Sequence, residues 1–408
     1  MKFFKKRCIA AVFAIAFLVT TTGCNLVNSG ILFLEKAMSS SGEAILEIDC
    51  RDRFYYPRLS PEEQKDYRLL LSAYQRMDKK IVGLDASGSD IVKLNKMVLL
   101  DCPELFWVVN SGVYYSDTAA FLIDTGISYE PRYRYTREQV VELMNEIDSV
   151  CAPIIGEYAN ASDYEKALAA YEFIIEISDY DEEKAEAILL DDGYDPVSDT
   201  SQCMTSVFTE GKSVCAGYAF AYQYLLSKLG VFATSVIGTA AEDGDGQGYS
   251  HQWNLLSLDG GYYYTDITWG DSRLNSTEAD YAYFCITEEE LLFTHRPNEW
   301  VEYPTADEIE NNYYYRNGFY CENLDTFFIG NLIEKAVSEK KSELTVKFAK
   351  RTDYADFYNY LETGQGKASF LNVILLSTAE AYEWLDIQKT AFSVSDSLCI
   401  VRIHFSYK

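Results

Sequence analysis

A two-residue turn sets the strongest constraint on the fold. Asp259-Gly260 stands between two apolar-rich runs, residues 252–258 and 262–267, and Gly261 follows it. Aspartate-glycine suits a tight turn whose two central residues need positive φ, so the two runs read as an antiparallel hairpin. With Asp259 and Gly260 as the loop, Leu258 pairs with Gly261, His251 falls opposite Thr268, and Asp266 falls opposite Trp253. Asp266 then becomes a diagonal, same-face neighbour of His251, about 7 Å away along the backbone and within side-chain reach. A three-residue loop would put the two on opposite faces. Register therefore decides whether histidine and carboxylate can meet.

A second block lies upstream, in Gly211-Lys212-Ser213-Val214-Cys215-Ala216-Gly217-Tyr218-Ala219. Tyr218, Ala221, Tyr222, Leu225, Leu226 and Leu229 recur at helical spacing, and Gly230 is the expected stop. Cys215 falls in the first turn, where free backbone N–H groups and the helix dipole favour a thiolate. The chain holds only three histidines, and His251 follows in Ser250-His251-Gln252-Trp253-Asn254. Asp266 opens Asp266-Ile267-Thr268-Trp269-Gly270-Asp271. Cysteine, histidine and aspartate in that order supply a nucleophile, a base and an orienting anion. Each has a plainer reading: Cys215 as a small buried helix residue, His251 as a core histidine beside Trp253, Asp266 as a cap on the turn after it. Together they favour catalysis. Asp271 competes with Asp266 for the orienting role, while His295 and His404 read as surface residues.

These three blocks resemble the transglutaminase-like branch of the papain-type cysteine enzymes. The words that carry the resemblance are Gly-Lys-x-Val-Cys-x-Gly-Tyr-Ala, His-x-Trp-Asn and Asp-x-Thr-Trp-Gly-Asp, within residues 160–275. It implies Cys215 as nucleophile, His251 as base and Asp266 as the orienting residue. Gln202 resembles the side-chain oxyanion donor found upstream of the cysteine in such enzymes, beside the Cys215 backbone N–H. Its plainer role is a loop-capping amide. The expected fold is α+β, with a catalytic helix packed on an antiparallel sheet. Asp101-Cys102-Pro103-Glu104-Leu105-Phe106-Trp107 is similar to a segment that precedes the core in bacterial members, which implies a helical accessory domain at 43–160. The catalytic domain would then occupy 161–298, and a small α+β module 299–408.

Local signals support this division. Capping boxes at Ser60, Thr136 and Ser162, and a start at Ser89-Asp90, announce helices, and residues 105–109 read as a buried strand. Towards the end, residues 325–339 and 354–361 suggest helices and 343–348 a strand. Val401, Ile403, Phe405 and Tyr407 alternate with polar residues as in a half-buried terminal strand. The stretch 243–248 looks at first like a calcium loop, but Asn254 stands where its twelfth, acidic ligand should be. It reads as a flexible flap.

The N-terminus carries an address. Lys2, Lys5, Lys6 and Arg7 precede an apolar run at 9–19, the pattern of a secretory signal over residues 1–23. Thr22-Gly23-Cys24 resembles the end of a bacterial lipoprotein signal, with Cys24 lipidated and 24–42 a tether; an ordinary signal peptide is the alternative. Setting aside Cys8, Cys24 and Cys215, seven cysteines remain, an odd number that cannot all pair internally. None has zinc-site spacing, so no metal and no cofactor is expected. With 35 basic against 63 acidic residues and a net charge of −28, the surface repels phosphate backbones, which argues against nucleic acid as a partner.

The sequence thus points to an extracytoplasmic enzyme on the outer face of a bacterial membrane, held there by a lipid anchor. It would act on protein or peptide amides through a thioester, with cell-wall peptide a candidate substrate. The rival is a non-catalytic surface module that binds peptide or cell-wall glycan and keeps the fold.

Overall fold

The computed structural model describes residues 43–85, 88–119, 123–190, 195–241, 248–271, 279–362, 384–386 and 389–408. The signal, Cys24, the tether and residues 243–247 of the flap lie outside the described residues. In chain order the principal elements are α1 (Pro61–Arg76), β1 (Ile81–Leu84), α2 (Gly88–Asp101), β2 (Val108–Ala119), β3 (Ile123–Tyr133), α3 (Arg137–Tyr158) and α4 (Asp163–Ile177). They continue with α5 (Cys215–Leu229), β4 (Phe232–Ala240), β5 (Tyr249–Leu258), β6 (Gly261–Thr265), β7 (His295–Pro297) and β8 (Tyr320–Cys321). The last are α6 (Thr326–Ser338), β9 (Glu343–Phe348), α7 (Arg351–Glu362), β10 (Ala391–Ser395) and β11 (Ile400–His404). Helix and sheet are mixed throughout, so the fold is α+β. Among the described residues no helix is long and apolar enough to cross a membrane.

Packing divides the chain into two interleaved units rather than consecutive modules. One comprises the described residues through Glu157 plus Tyr180–Leu225; the other comprises Tyr158–Asp179 plus Leu226–Lys408. The first is not purely helical, as expected for 43–160, because β1, β3 and β2 form a three-stranded antiparallel sheet in that order. Polar residues and glycine interrupt the apolar alternation of β2 and β3, which hides the period on which a strand reading depends. Residues 105–109 are buried as anticipated, but Pro103–Leu105 form a tight helical turn and the strand starts only at Val108. The buried Asp101 carboxylate staples the preceding segment, accepting from the N–H groups of Phe54, Tyr55 and Tyr56 and from the Tyr67 hydroxyl. Helix α5 is held there too: the Gln223 amide donates to the Leu100 carbonyl at 2.9 Å, and the Tyr224 hydroxyl to Asp148 at 2.7 Å.

The second unit carries two four-stranded sheets. One runs β6-β5-β4-β7 and the other β8-β9-β11-β10. In the first, Leu258 pairs with Gly261 and Asn254 with Thr265, the register the Asp-Gly turn predicts. Asp259 and Gly260 have φ of 52° and 91°, the left-handed geometry that favours this dipeptide. Helix α4 begins at the Ser162 capping box and buries Ala167, Tyr171, Ile174 and Ile175. The second sheet is covered by α6 and α7, whose apolar faces bury Ile329, Ile333, Phe357 and Leu361 against Val346, Val401 and Ile403. Both helices and the β9 boundaries follow the sequence reading.

Candidate active site

The four residues expected at the site fall into two pairs, one in each unit. In the first unit, α5 starts at Cys215, the one described cysteine that is not buried. The eight described cysteines are thiols rather than disulfides, and burial pushes the thiols of Cys102, Cys203 and Cys285 up, which makes them inert. The start of α5 is fixed by its neighbours. Val214 N–H donates to the Ser201 carbonyl at 3.2 Å, and the buried Ser213 hydroxyl donates to the same oxygen at 2.9 Å. A side-chain carbon on Gly217 would lie 2.0 Å from Ser213 Oγ, 2.8 Å from the Ser201 oxygen and 2.9 Å from the Cys203 oxygen. Glycine at this position therefore lets the 201–203 turn press against the first turn of α5. Half-buried Gln202 sits in that turn, next to Ser201. The other end of α5 closes at Gly230, with φ of 78°, where Val231 N–H reaches back to the Leu226 carbonyl.

In the second unit, His251 and Asp266 meet just beyond the paired part of the hairpin; the expected pairs Trp253–Asp266 and His251–Thr268 do not form, because the second strand gives way to a helical turn after Thr265. His251 Nε2 lies 2.6 Å from Asp266 Oδ2, and both side chains are essentially fully buried. Pairing of β5 with β6 ends at Asn254 and Thr265, after which Asp266 caps a single helical turn, Ile267–Gly270. Its Oδ1 accepts from the N–H groups of Thr268 at 2.9 Å and Trp269 at 3.2 Å. The capping role and the orienting role are thus divided between the two oxygens of one carboxylate. Asp271 lies at the far end of the turn, its N–H donating to the Ile267 and Thr268 carbonyls. Tyr171 of α4 secures the turn: its hydroxyl donates to the Asp280 carbonyl and fills the space beside Gly270.

His295 is a correction to the sequence reading. It is fully buried, and its Nε2 lies 3.0 Å from the same Asp266 oxygen. The register explains how it arrives. His251 pairs with Gly238 across one edge of β4, and His295 pairs with Ala240 across the other. Gly238 and Ala240 are two apart, so both imidazoles rise from one face of the sheet. In the sequence the only prompt was the scarcity of histidine, because β7 is three residues long and ends in proline. His404 does lie near the surface, hydrogen-bonded to Ser393.

The protonation pattern follows from these contacts. Burial alone would raise the Asp266 carboxyl, but the facing His251 and His295 outweigh it and hold the group well below the usual carboxylate range. An ionised carboxylate only accepts, so both rings present N–H at Nε2. The neutral His251 ring then keeps its basic lone pair on Nδ1. Burial also pushes the His295 imidazole down, with Asp266 opposing, and its Nδ1 accepts from the Thr294 hydroxyl at 2.8 Å. Trp253, Trp269 and Tyr283 wall the pair, their ring centres 4.8, 4.6 and 5.5 Å from that of His295.

His251, Asp266 and His295 are also the described group with donor atoms near enough to share an ion. The 2.6 Å separation is nevertheless a hydrogen-bond length. Two ligands bound about 2.1 Å from a tetrahedral zinc would stand roughly 3.4 Å apart. Protons, not a cation, fit this spacing.

No family model and no curated protein matches the chain. Among solved structures it is similar to a crystal structure of a TGase, with 15% identity and a TM-score of 0.28 over 45% of this chain and 49% of that one. It is also similar to a proposed cysteine protease from Cytophaga hutchinsonii, with 14% identity and a TM-score of 0.23, covering 39% of this chain and 64% of that one. The chain therefore spans about half the length of the first and under two thirds of the second.

Proposed function

We propose that this protein is a transglutaminase-like cysteine enzyme that acts on protein or peptide amides through a thioester. Cys215 is the nucleophile, His251 its base, Asp266 the group that orients the imidazole, and Gln202 with the Cys215 N–H the oxyanion donors. The observation that carries this reading is the buried His251–Asp266 hydrogen bond of 2.6 Å. It presents the imidazole lone pair at Nδ1. The partial exposure of Cys215, where the other described cysteines are buried, and the placement of Gln202 beside the start of α5 support it.

The cycle is then as follows. His251 Nδ1 takes the thiol proton, and the thiolate adds to the amide carbonyl. As the tetrahedral intermediate collapses, the imidazolium gives its proton to the departing amine and a thioester remains. Water completes hydrolysis; a primary amine completes transfer. We further propose that the enzyme works outside the cytoplasm, anchored through a lipid on Cys24, with cell-wall peptide as a candidate substrate.

The test is a peptide library incubated with and without an amine acceptor, its products identified by mass, alongside labelling by a thiol-reactive probe. Expected are new acids or amides and stoichiometric labelling at Cys215 that is lost in His251→Ala. Normal turnover by Cys215→Ala would eliminate the mechanism.

A further inference from the structure

Asp266 does not serve one histidine. Its Oδ2 takes His251 Nε2 at 2.6 Å and His295 Nε2 at 3.0 Å, and the ring centres of the two imidazoles are 5.5 Å apart. We propose that His295 is a positioning residue for the reaction, sharing the Asp266 carboxylate so as to fix the orientation of His251 and to moderate its basicity. The inference rests on the reading of His251 as the catalytic base.

Three observations carry it. First, His295 is itself fixed: Thr294 Oγ1 lies 2.8 Å from its Nδ1, and the Tyr283 hydroxyl lies 3.3 Å from that same Thr294 oxygen. The line Tyr283–Thr294–His295–Asp266–His251 is continuous and buried. Second, with its Nδ1 accepting from Thr294, His295 can satisfy Asp266 only as the neutral Nε2–H tautomer. It holds its own proton and passes none. Third, a carboxylate oxygen that accepts two N–H donors gives each a weaker bond than it would give one. The charge that stabilises the His251 imidazolium is thereby divided.

The groups facing His295 are few. His251 and Trp253 approach from β5, Asp266 and Trp269 from the capped turn, and Tyr283 from the segment before β7. Arg296, the next residue of β7, adds a positive charge that further disfavours protonation of His295. Removing the His295 donor leaves Asp266 to His251 alone, so the His251 midpoint should rise by about one pH unit, the scale of a single charge-assisted hydrogen bond. His295→Gln keeps an N–H near the Nε2 position and should restore the wild-type value.

Three histidines make the test direct, because ¹H–¹⁵N imidazole spectra can separate all of them in the full chain. In a Cys215→Ala background, the His251 midpoint is followed with His295, His295→Leu and His295→Gln. A rise in the leucine variant that glutamine reverses supports the proposal. An unchanged midpoint across the three, or a glutamine variant that behaves like leucine, overturns it. Should His295→Leu not fold, the parent spectrum still decides: an Nδ1–H tautomer at His295 refutes the shared carboxylate, and an Nε2–H tautomer across pH 6–9 with rescue by glutamine upholds it. These spectra need no turnover, so failure of the thioester reading would appear separately, as activity surviving in Cys215→Ala.

Discussion

Replacing Asp266 with asparagine tests the core of the site, because the two oxygens of this carboxylate do different work. Oδ1 accepts two backbone N–H groups and Oδ2 accepts two imidazole N–H groups. An amide has one oxygen. If it takes the Oδ1 position, its NH₂ faces two ring N–H donors, and both imidazoles must turn to the Nδ1–H tautomer to accept from it. His295 can do so, since Thr294 Oγ1 can accept from Nδ1–H and redirect its own hydroxyl to the Leu291 carbonyl 3.5 Å away. His251 can do so only by moving its lone pair from Nδ1 to Nε2, where it faces the amide.

The variant should therefore fold but lose its base. Four charge-assisted hydrogen bonds become neutral ones, a loss of about 1 kcal/mol each, so guanidinium unfolding should register a loss of roughly 4 kcal/mol at neutral pH. Turnover should fall on the order of 10⁴-fold, as when an orienting acid elsewhere leaves its histidine in the wrong tautomer. The pH dependence supplies a third reading. The Asp266 carboxyl is held below its unfolded value, so its contribution is present above about pH 4 and is lost as pH falls through the depressed folded value. The Asp266→Asn substitution would remove that part of the acid sensitivity. A variant with wild-type turnover and the wild-type stability profile from pH 7 to pH 2 would refute the tautomer argument.

Two further expectations concern other parts of the chain. Gly217→Ala puts a carbon 2.0 Å from Ser213 Oγ and under 3 Å from two carbonyl oxygens, and should cost about 1–3 kcal/mol in chemical denaturation with slower probe labelling of Cys215; a neutral substitution would mean that the 201–203 turn does not press on α5. Cells fed a labelled fatty acid should incorporate it into this protein and not into Cys24→Ser; equal incorporation in both would dismiss the anchor.

What could be read in advance was what the chain encodes locally. The Asp-Gly turn sets the β5–β6 register because two residues with positive φ leave few alternatives. The Ser60 and Ser162 boxes and the Gly230 stop are satisfied within a few residues of themselves. His295 was not readable, because its partner Asp266 and its strand neighbour Ala240 are distant in sequence and β7 is too short for a period to appear. Helix α5 was readable only in part. The stripe from Tyr218 to Leu229 is buried as expected, but Ala219, Gln223 and Tyr224 are buried as well. A helix covered on nearly every side carries more residues inward than an amphipathic pattern reveals.

The central strand shows why the base half of this site is rigid. Gly238 and Ala240 are poor choices for the middle of a sheet, where β-branched residues pack better and glycine is entropically costly. Both lie on the face that carries His251, Trp253 and His295. A side-chain carbon on Gly238 would stand 2.8 Å from the Trp253 ring and 2.0 Å from the Arg296 carbonyl, so glycine is what the neighbouring ring and strand leave room for. The sheet thus gives up packing on one strand to seat an indole and two imidazoles around one carboxylate. With aromatic rings on the open sides and water excluded, the Asp266 charge acts on those imidazoles with little screening. That pre-set charge, held by backbone N–H groups on one oxygen and rings on the other, needs no rearrangement when His251 accepts a proton.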